Sequence, residues 1–213
     1  GASISKDDPM SVVQQRYKQI EITLPPNIAF ELIGHAFSVI PAAKDQWEVM
    51  TGDLNSKISA SKIAVMKAAV VKSDSVMQHM LPIHPMAALV LKNIASAFQS
   101  NQRSMFDFIK TPKDLDVHAF QWFIQNTRPD SDRSLLTVDM LWDFFYEKGK
   151  DYLTSDIKLI LDTYPQQTNL TEKEKVVLKT ILIMQAVDQR LGGTIPVLKA
   201  TDQNLSYAFE GDW

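Results

Sequence analysis

One histidine of this chain lies between two prolines, in the sequence Pro82-Ile83-His84-Pro85. Proline fixes its own backbone and restricts the residue before it, so the position of His84 is set by local geometry. Two interpretations follow. In the first, the segment is an ordinary entry turn to a helix that begins at Pro85, where a missing N–H costs nothing. In the second, the rigid turn places His84 or Pro85 against a ligand that another domain carries.

A second candidate is Arg103, which lies in the polar sequence Asn101-Gln102-Arg103 shortly before Phe106. Asparagine is a common N-cap residue, so we expect a short helix that Asn101 caps and that runs through Ile109. In one interpretation Arg103 pairs with a nearby carboxylate or carbonyl group. In the other it points at a phosphate across a domain boundary, because a guanidinium group binds phosphate oxygens in a defined geometry.

The familiar catalytic and cofactor motifs are missing from the sequence. It contains neither Gly-x-x-x-x-Gly-Lys-Ser/Thr nor Gly-x-Gly-x-x-Gly, so no loop is expected to hold a nucleotide phosphate, and it contains no Gly-x-Ser-x-Gly. The histidines His35, His79, His84 and His118 are scattered, without the spacing of a metal site. Paired acids such as Glu172 and Glu174 suit solvation and helix capping better than acid-base catalysis. We therefore expect neither a catalytic residue nor a metal in this chain.

Composition narrows the class of protein further. The chain has 213 residues, 45% of them hydrophobic, which is enough for a sizeable buried core. Its net charge of −3 gives no general attraction for nucleic acid or anionic lipid, so nucleic-acid binding would need a local basic patch. It has no cysteine, which suits a reducing cytoplasm. No apolar run reaches the roughly 18 residues of a membrane helix, and we expect a cytoplasmic protein without membrane contact.

Hydrophobic spacing predicts a mainly α fold, a multi-helix bundle with at most one short strand. The strand is expected at residues 19–24, where Ile20, Ile22 and Leu24 alternate with polar residues. Residues 1–18 are predicted to form a flexible lead, and residues 41–56 a mobile connection that contains Pro41 and Gly52. Helices are predicted at residues 26–39, 58–71, 85–98 and 101–109, from Pro112 past Phe123, from Thr137 or Asp139 to Gly149, from Thr154 or Ser155 to Pro165, and at 172–190 and 201–209, with a short turn at 73–80.

The helix at residues 172–190 has the clearest signals. Thr171 and Glu174 have the spacing of a capping box, and Gly192-Gly193 ends the helix. Its residues from Val176 to Val187 are apolar on almost all sides, so we expect it to be central and buried. The aromatic residues between Phe120 and Tyr146 are likewise interpreted as core rather than as a cofactor site.

Three stretches of the chain resemble a known family. QQRYKQIEITLPPNIAFELIGHAF is similar to the strand and Pro-Pro helix that follow the nucleotide-binding core in large bacterial ATP-binding proteins found near phage-defence genes. LPIHPMAALVLKNIASAFQSNQRSMFDFI resembles the "PLHP" turn and "QNERSLFSFL" segment of those proteins. VLKTIL and KATDQNLSYAF resemble two of their later helices, so that about half of the chain matches in order.

The resemblance implies a part of a multidomain P-loop ATPase of the AAA+ or STAND kind, with its phosphate-binding motifs upstream of this chain. Residues 19–165 would then be a helical domain like the lid of such ATPases, and residues 166–213 would begin a winged helix that lacks its recognition helix and wing. ATP and Mg²⁺ are implied for the full-length protein, and the upstream ATPase domain is the implied partner.

The same resemblance suggests roles for single residues. His84, Pro85 and Arg103 match family positions and would contact a nucleotide held by the upstream domain, with Pro85 packing on the base and Arg103 sensing the terminal phosphate. Asn101 and Phe106 match structural positions of the motif. Gln102 departs from the glutamate that the family has there, which removes any ion pair at that position.

We therefore expect a non-catalytic regulatory region that couples nucleotide state to neighbouring domains. Two alternatives remain. One is a self-contained helical scaffold that binds a protein partner or a second copy of itself, with the Met-rich and Ala-rich residues 66–86 as an adaptable surface. The other is a nucleic-acid-binding module that uses the terminal helices.

Overall fold

The structure is a computed structural model that describes residues 28–36, 38–98, 104–112 and 116–212, apart from the side chains of residues 95 and 96. The predicted flexible lead at residues 1–18 and the predicted strand at 19–24 lie outside these ranges. The described chain is mainly helical, as predicted, and its one β-type contact is an isolated parallel bridge between Ile83 and Leu136. None of its helices in these ranges combines the length and apolar character needed to cross a bilayer.

The residues described between 28 and 98 form five α-helices. They are α1 (Ile28–His35), α2 (Lys44–Lys57), α3 (Ser59–Ala69), α4 (Asp74–His79) and α5 (Pro85–Phe98). Helix α5 begins and ends where the sequence predicts, because Pro85 suits the first helical turn and apolar residues continue to Phe98. Helix α1 ends at His35, four residues before the predicted end at 39.

The second half contains shorter helices and one long helix. They are α6 (Met105–Lys110), α7 (Phe120–Asn126), α8 (Ser155–Leu161), α9 (Glu172–Arg190) and α10 (Asp202–Ala208). Tight 3₁₀ turns lie between them, at Val138–Leu141, Lys150–Tyr152, Tyr164–Gln166 and Pro196–Leu198. The capping box of α9 is present as predicted, and Gly192 and Gly193 follow the helix at positive φ angles of 65° and 70°.

Helix α5 lies at the centre of the core. Every residue from Pro85 to Leu91 is buried, so the first two turns of α5 are covered on all sides. Helices α3, α9 and α10 pack against it. Helix α9 is buried only along its second half, from Thr180 to Val187, whereas its first turn is exposed. One hydrophobic cluster includes residues on both sides of the predicted domain boundary at 165, among them Met86, Trp142, Val187 and Phe209.

Several local predictions are wrong. Most of the predicted mobile connection at 41–56 lies in helix α2 (Lys44–Lys57), whose helix-favouring residues outweigh Gly52 although it buries only Leu54. The helix predicted from Pro112 begins at Phe120, because the N–H of His118 is held at 2.6 Å by the Asp143 carboxylate and the chain is extended at Ala119.

The third concerns residues 139–149, which divide into the 3₁₀ turn at Val138–Leu141 and a π-helical turn at Asp143–Glu147. Gly149 ends this region because the backbone passes very close to itself there. A Cβ atom at Gly149 would lie 2.5 Å from the carbonyl oxygen of Phe145. The aromatic side chains of the region are core, as predicted: Phe144 packs edge-to-face on Phe108 at a centroid distance of 5.5 Å, and Phe145 stacks on it at 5.9 Å.

Candidate functional site

The turn that contains His84 is fixed by a partner distant in sequence. The N–H of His84 donates to the carbonyl oxygen of Leu136 at 3.0 Å, and the N–H of Leu136 donates to the carbonyl oxygen of Pro82 at 2.9 Å. These two bonds form the parallel bridge between Ile83 and Leu136. The peptide bond between Leu81 and Pro82 is cis. The turn is therefore held both by its prolines and by an adjacent extended segment.

The His84 side chain is completely buried, and both ring nitrogens have partners. Nδ1 accepts the N–H of Met86 at 3.2 Å, so the ring proton is on Nε2, which donates to the carbonyl oxygen of Glu210 at 3.1 Å. Burial lowers the pKa of His84 to about 4, although the bond to Glu210 acts in the opposite direction. His84 is therefore neutral near pH 7 and joins the entry of α5 to the C-terminal segment, the first of the two interpretations.

The other motif residues have different settings. Pro85 is buried as the first residue of α5, and Phe106 is partly buried on α6 against the main core. Asn101 and Arg103 lie outside the described residues, so the roles that the resemblance implies for them stay predictions. The expectation that Asn101 caps the following helix is wrong, because α6 begins at Met105 and its N-cap is Ser104.

Ser104 forms a complete capping box with Asp107. The Ser104 hydroxyl accepts the N–H of Asp107 at 3.1 Å, and the Asp107 carboxylate accepts the N–H of Ser104 at 2.9 Å. A serine followed three residues later by a carboxylate is the signal that sequence analysis missed here. The nucleotide contacts proposed for His84 and Pro85 also stay predictions, since both side chains are covered by protein in this structure.

A buried ionic cluster adjoins this turn. The Arg133 guanidinium donates through Nη1 and Nη2 to the two oxygens of Asp139 at 3.1 and 2.8 Å, and through Nε to Asp212 at 3.0 Å. Its Nη2 also contacts the Thr137 hydroxyl at 2.6 Å, and that hydroxyl donates to Asp139. Two carboxylates that are almost fully buried thus share one guanidinium.

The charges of this cluster affect one another. Burial acts to lower the pKa of Arg133, but the hydrogen bonds with Asp139 and Asp212 outweigh it and leave that pKa raised. Burial raises the pKa of Asp212, and the nearby guanidinium offsets only part of the increase. Arg133 therefore stays charged at every ordinary pH and holds two segments of the chain together. Sequence analysis missed Arg133, Asp139 and Asp212, because nothing in their local spacing indicates the contact.

A cavity of about 510 Å³ opens beside the ionic cluster. Aromatic side chains line one part of it, with Trp122 stacked on His118 at a centroid distance of 3.8 Å. Arg133, Asp139 and Lys179 line the rest, and the Lys179 ammonium lies 5.9 Å from the centre of the Trp142 ring. The size suits a small organic molecule, but cationic and anionic groups both face the space, so its charge selects no class of ligand.

In the part of the chain that the structure describes, no group of three or more His, Asp and Glu side chains is arranged to hold a metal ion. The residues that converge around the His84 turn are instead hydrogen-bonding groups that join distant segments. Comparison of the chain with protein families, with curated proteins and with solved structures finds no significant match.

Proposed function

We propose that the chain is a non-catalytic helical regulatory region of a larger ATP-binding protein and couples nucleotide state to neighbouring domains. The observation that supports this is the assembly of the family-like stretches into one packed unit. Helix α5 follows the His84 turn, α9 contains the stretch VLKTIL, and α10 lies in the stretch KATDQNLSYAF. Helices α9 and α10 both pack on α5, and Glu210, just after α10, accepts the hydrogen bond of His84.

This packing suggests how a signal would pass through the region. Helix α5 is surrounded by other helices, so it moves as part of a rigid unit rather than alone. Helix α6 also contacts α5, and Arg103 directly precedes its N-cap, Ser104. An arginine that binds a terminal phosphate at this position would pull on α6 and α5 when nucleotide is bound and release them after hydrolysis. The region would then report nucleotide state through rigid-body movement.

The test uses the full-length polypeptide encoded by the natural gene. We expect a phosphate-binding loop upstream of this chain, measurable ATP hydrolysis, and a loss of at least about tenfold in kcat for Arg103→Ala. Arg128→Ala is the matched control, because Arg128 is an exposed arginine in a loop. An unchanged rate for Arg103→Ala removes the sensor role. A full-length polypeptide with neither the loop nor ATP hydrolysis overturns the whole proposal.

A second candidate function is the self-contained interaction scaffold, and one surface feature favours it. An apolar groove of about 630 Å³ lies between residues 38–47 and helix α7. Ile40 and Ile124 are 73% and 49% exposed at this groove, and Phe120 lies at its base. Exposed apolar grooves of this kind often bind partner helices. A reading frame that encodes no nucleotide-binding domain would favour this candidate over the first.

A further inference from the structure

The N-terminus of helix α3 is capped by a residue from the other end of the chain. Its own N-cap position is Ile58, whose side chain offers no hydrogen bond. The carboxylate of Glu210, 150 residues from Ala60, takes over this role. Its Oε1 accepts the N–H of Ala60 at 3.0 Å, and its Oε2 accepts the N–H of Ser61 at 2.5 Å. A carboxylate is well placed there, since the first N–H groups of a helix lack partners and carry partial positive charge.

Two further donors hold the same segment. His84 Nε2 donates to the backbone carbonyl of Glu210, and Arg133 Nε donates to the carboxylate of Asp212. We call Glu210–Asp212 the C-terminal strap, and the surface formed by Ala60, Ser61, His84 and Arg133 the strap cleft.

Between the two acids, Gly211 has a φ of +83° and passes against the junction of α2 and α3. A Cβ atom at Gly211 would lie 3.0 Å from Cγ2 of Ile58 and 3.2 Å from the carbonyl oxygen of Lys57. The strap cleft therefore admits an acidic residue, then a glycine, then a second acidic residue.

We propose that the strap cleft is a binding site for an acidic peptide of the pattern Glu-Gly-Asp, which the chain's own C-terminal strap occupies and from which it can be displaced. This inference does not depend on the nucleotide-related proposal, because it rests only on contacts within the described chain. The ligand class follows from the donors. Two helix N–H groups and a guanidinium select two carboxylates, and the positive φ and close contacts of Gly211 favour glycine between them.

The cleft is built to remain in place without the strap. The ring of His84 is fixed by the N–H of Met86, and Arg133 is fixed by Asp139 and Thr137. If Asp212 moves away, the guanidinium is still paired with Asp139. It is not left as an unpaired buried charge, which would be costly. Polar contacts hold Glu210 and the buried Asp212, and Gly211 packs against Ile58, while Phe209, just before the strap, is buried in the main core. We expect the strap to open locally while Phe209 and the core stay in place.

Displacement is tested in the full chain with a peptide supplied in trans. A tethered strap competes at an effective concentration on the order of millimolar, so the strap must first be weakened. The variant Glu210→Gln does this with almost no change of shape. The ¹⁵N-labelled variant is titrated with the capped peptide Phe-Glu-Gly-Asp-Trp, and the amide signals of Ala60 and Ser61 are followed by NMR. The matched protein control is Glu48→Gln. The Glu48 side chain is 67% exposed on α2, so this change leaves the strap intact.

We expect saturable shifts at Ala60 and Ser61 in Glu210→Gln, and in Glu48→Gln the same shifts only at a higher peptide concentration, because the intact strap competes with the peptide. The peptide Phe-Gln-Gly-Asp-Trp should bind roughly tenfold more weakly, because it lacks the charge-assisted bonds to the helix. Absence of shifts up to about 10 mM peptide, above the tethered concentration, overturns the proposal. Equal binding of the two peptides also overturns it.

A second measurement on the unmodified chain covers the case in which Glu210→Gln fails to fold. The amides of Ala60 and Ser61 precede the first intrahelical bond of α3 and donate to Glu210, so their hydrogen exchange reports directly on strap opening. We expect them to exchange at least about tenfold faster than the buried amides of Val90 and Leu91 in α5. Equal protection of the two sets would mean that the strap opens only when the core unfolds, and the proposal would fail.

Discussion

Gly211 in the C-terminal strap and Gly52 in helix α2 differ in whether their backbone angle and surroundings allow a side chain. Gly211 has a positive φ, and a Cβ atom there would fit only if Ile58 and Lys57 moved by a few tenths of an ångström, whereas Gly52 is helical and no atom outside its own helix backbone lies within 4 Å of its Cβ position. Any other residue at Gly211 is strained twice, by its backbone angle and by contact with Ile58. At Gly52 the same change only reduces the freedom of the unfolded chain.

We expect Gly211→Ala to lower the free energy of unfolding by about 1–3 kcal/mol, because the strap must shift away from the α2–α3 junction. Gly52→Ala, the matched control, should raise it by about 0.5–1 kcal/mol. Urea denaturation followed by circular dichroism measures both values. A neutral or stabilising effect of Gly211→Ala would show that the strap is not packed as described.

At the scale of elements, helices α9 and α3 receive their N-terminal caps in different ways. Helix α9 is capped locally, since the Thr171 hydroxyl accepts the N–H of Glu174 at 3.3 Å and the Glu174 carboxylate accepts the N–H of Thr171 at 2.7 Å. The hydrogen bonds from Thr171 also lower the pKa of Glu174. Helix α3 has an apolar N-cap residue and takes its side-chain cap from Glu210. The first kind of cap can form together with its own helix, whereas the second forms only when the C-terminal segment packs against α3.

The local cap of α9 is tested by Thr171→Ala. We expect the free energy of unfolding to fall by about 1 kcal/mol, because one N–H of the first turn loses its partner. Thr168→Ala is the matched control, since Thr168 is exposed in the loop just before the helix. Urea denaturation of the two variants gives the comparison, and equal free energies would contradict a stabilising capping box.

At the scale of the whole molecule, the buried histidine makes stability depend on pH. Burial lowers the pKa of folded His84 from 6.5 to about 4, so the unfolded chain binds a proton more readily than the folded chain. The stability that neutral His84 allows is fully present above pH 6.5 and is lost as the pH falls from 6.5 towards 4. Asp212 acts in the opposite direction, because burial raises its pKa and its contribution increases as the pH falls.

We expect the free energy of unfolding to decrease by up to about 3 kcal/mol between pH 6.5 and 4 because of His84. Urea denaturation at several pH values above 5 follows the upper part of this decrease, where Asp156 and Asp162, whose pKa values are lowered, still keep their contributions and Asp212 acts in the opposite direction. His84→Gln should be less stable at pH 7 and should not lose stability as the pH falls through this window. His79→Gln, at an exposed histidine, should keep the slope of the unmodified chain. The same slope in His84→Gln would contradict the assignment.

Features with a local cause were predictable from the sequence by itself. The start of α5 at Pro85, the capping box at Thr171 and the stop at Gly192-Gly193 each depend on residues within a few positions of one another. Periodicity likewise gave the helical class of the fold. The exception is the N-cap of α6. It is equally local, but the sequence analysis predicts it at Asn101 and the structure has it at Ser104.

Features that depend on contacts between distant residues were decided only by the tertiary structure. Helix α2 is a separate case, because its helix-favouring residues are local but it buries a single residue, Leu54, and so lacks the apolar periodicity that predicts a helix. The His84 turn could be recognised in the sequence, but not its partner Glu210, which is 126 residues away. The contact between Arg133 and Asp212, which are 79 residues apart, could likewise not be recognised in the sequence. Short-range spacing sets the secondary structure, whereas pairing of buried polar groups is set by which surfaces the packed helices bring together.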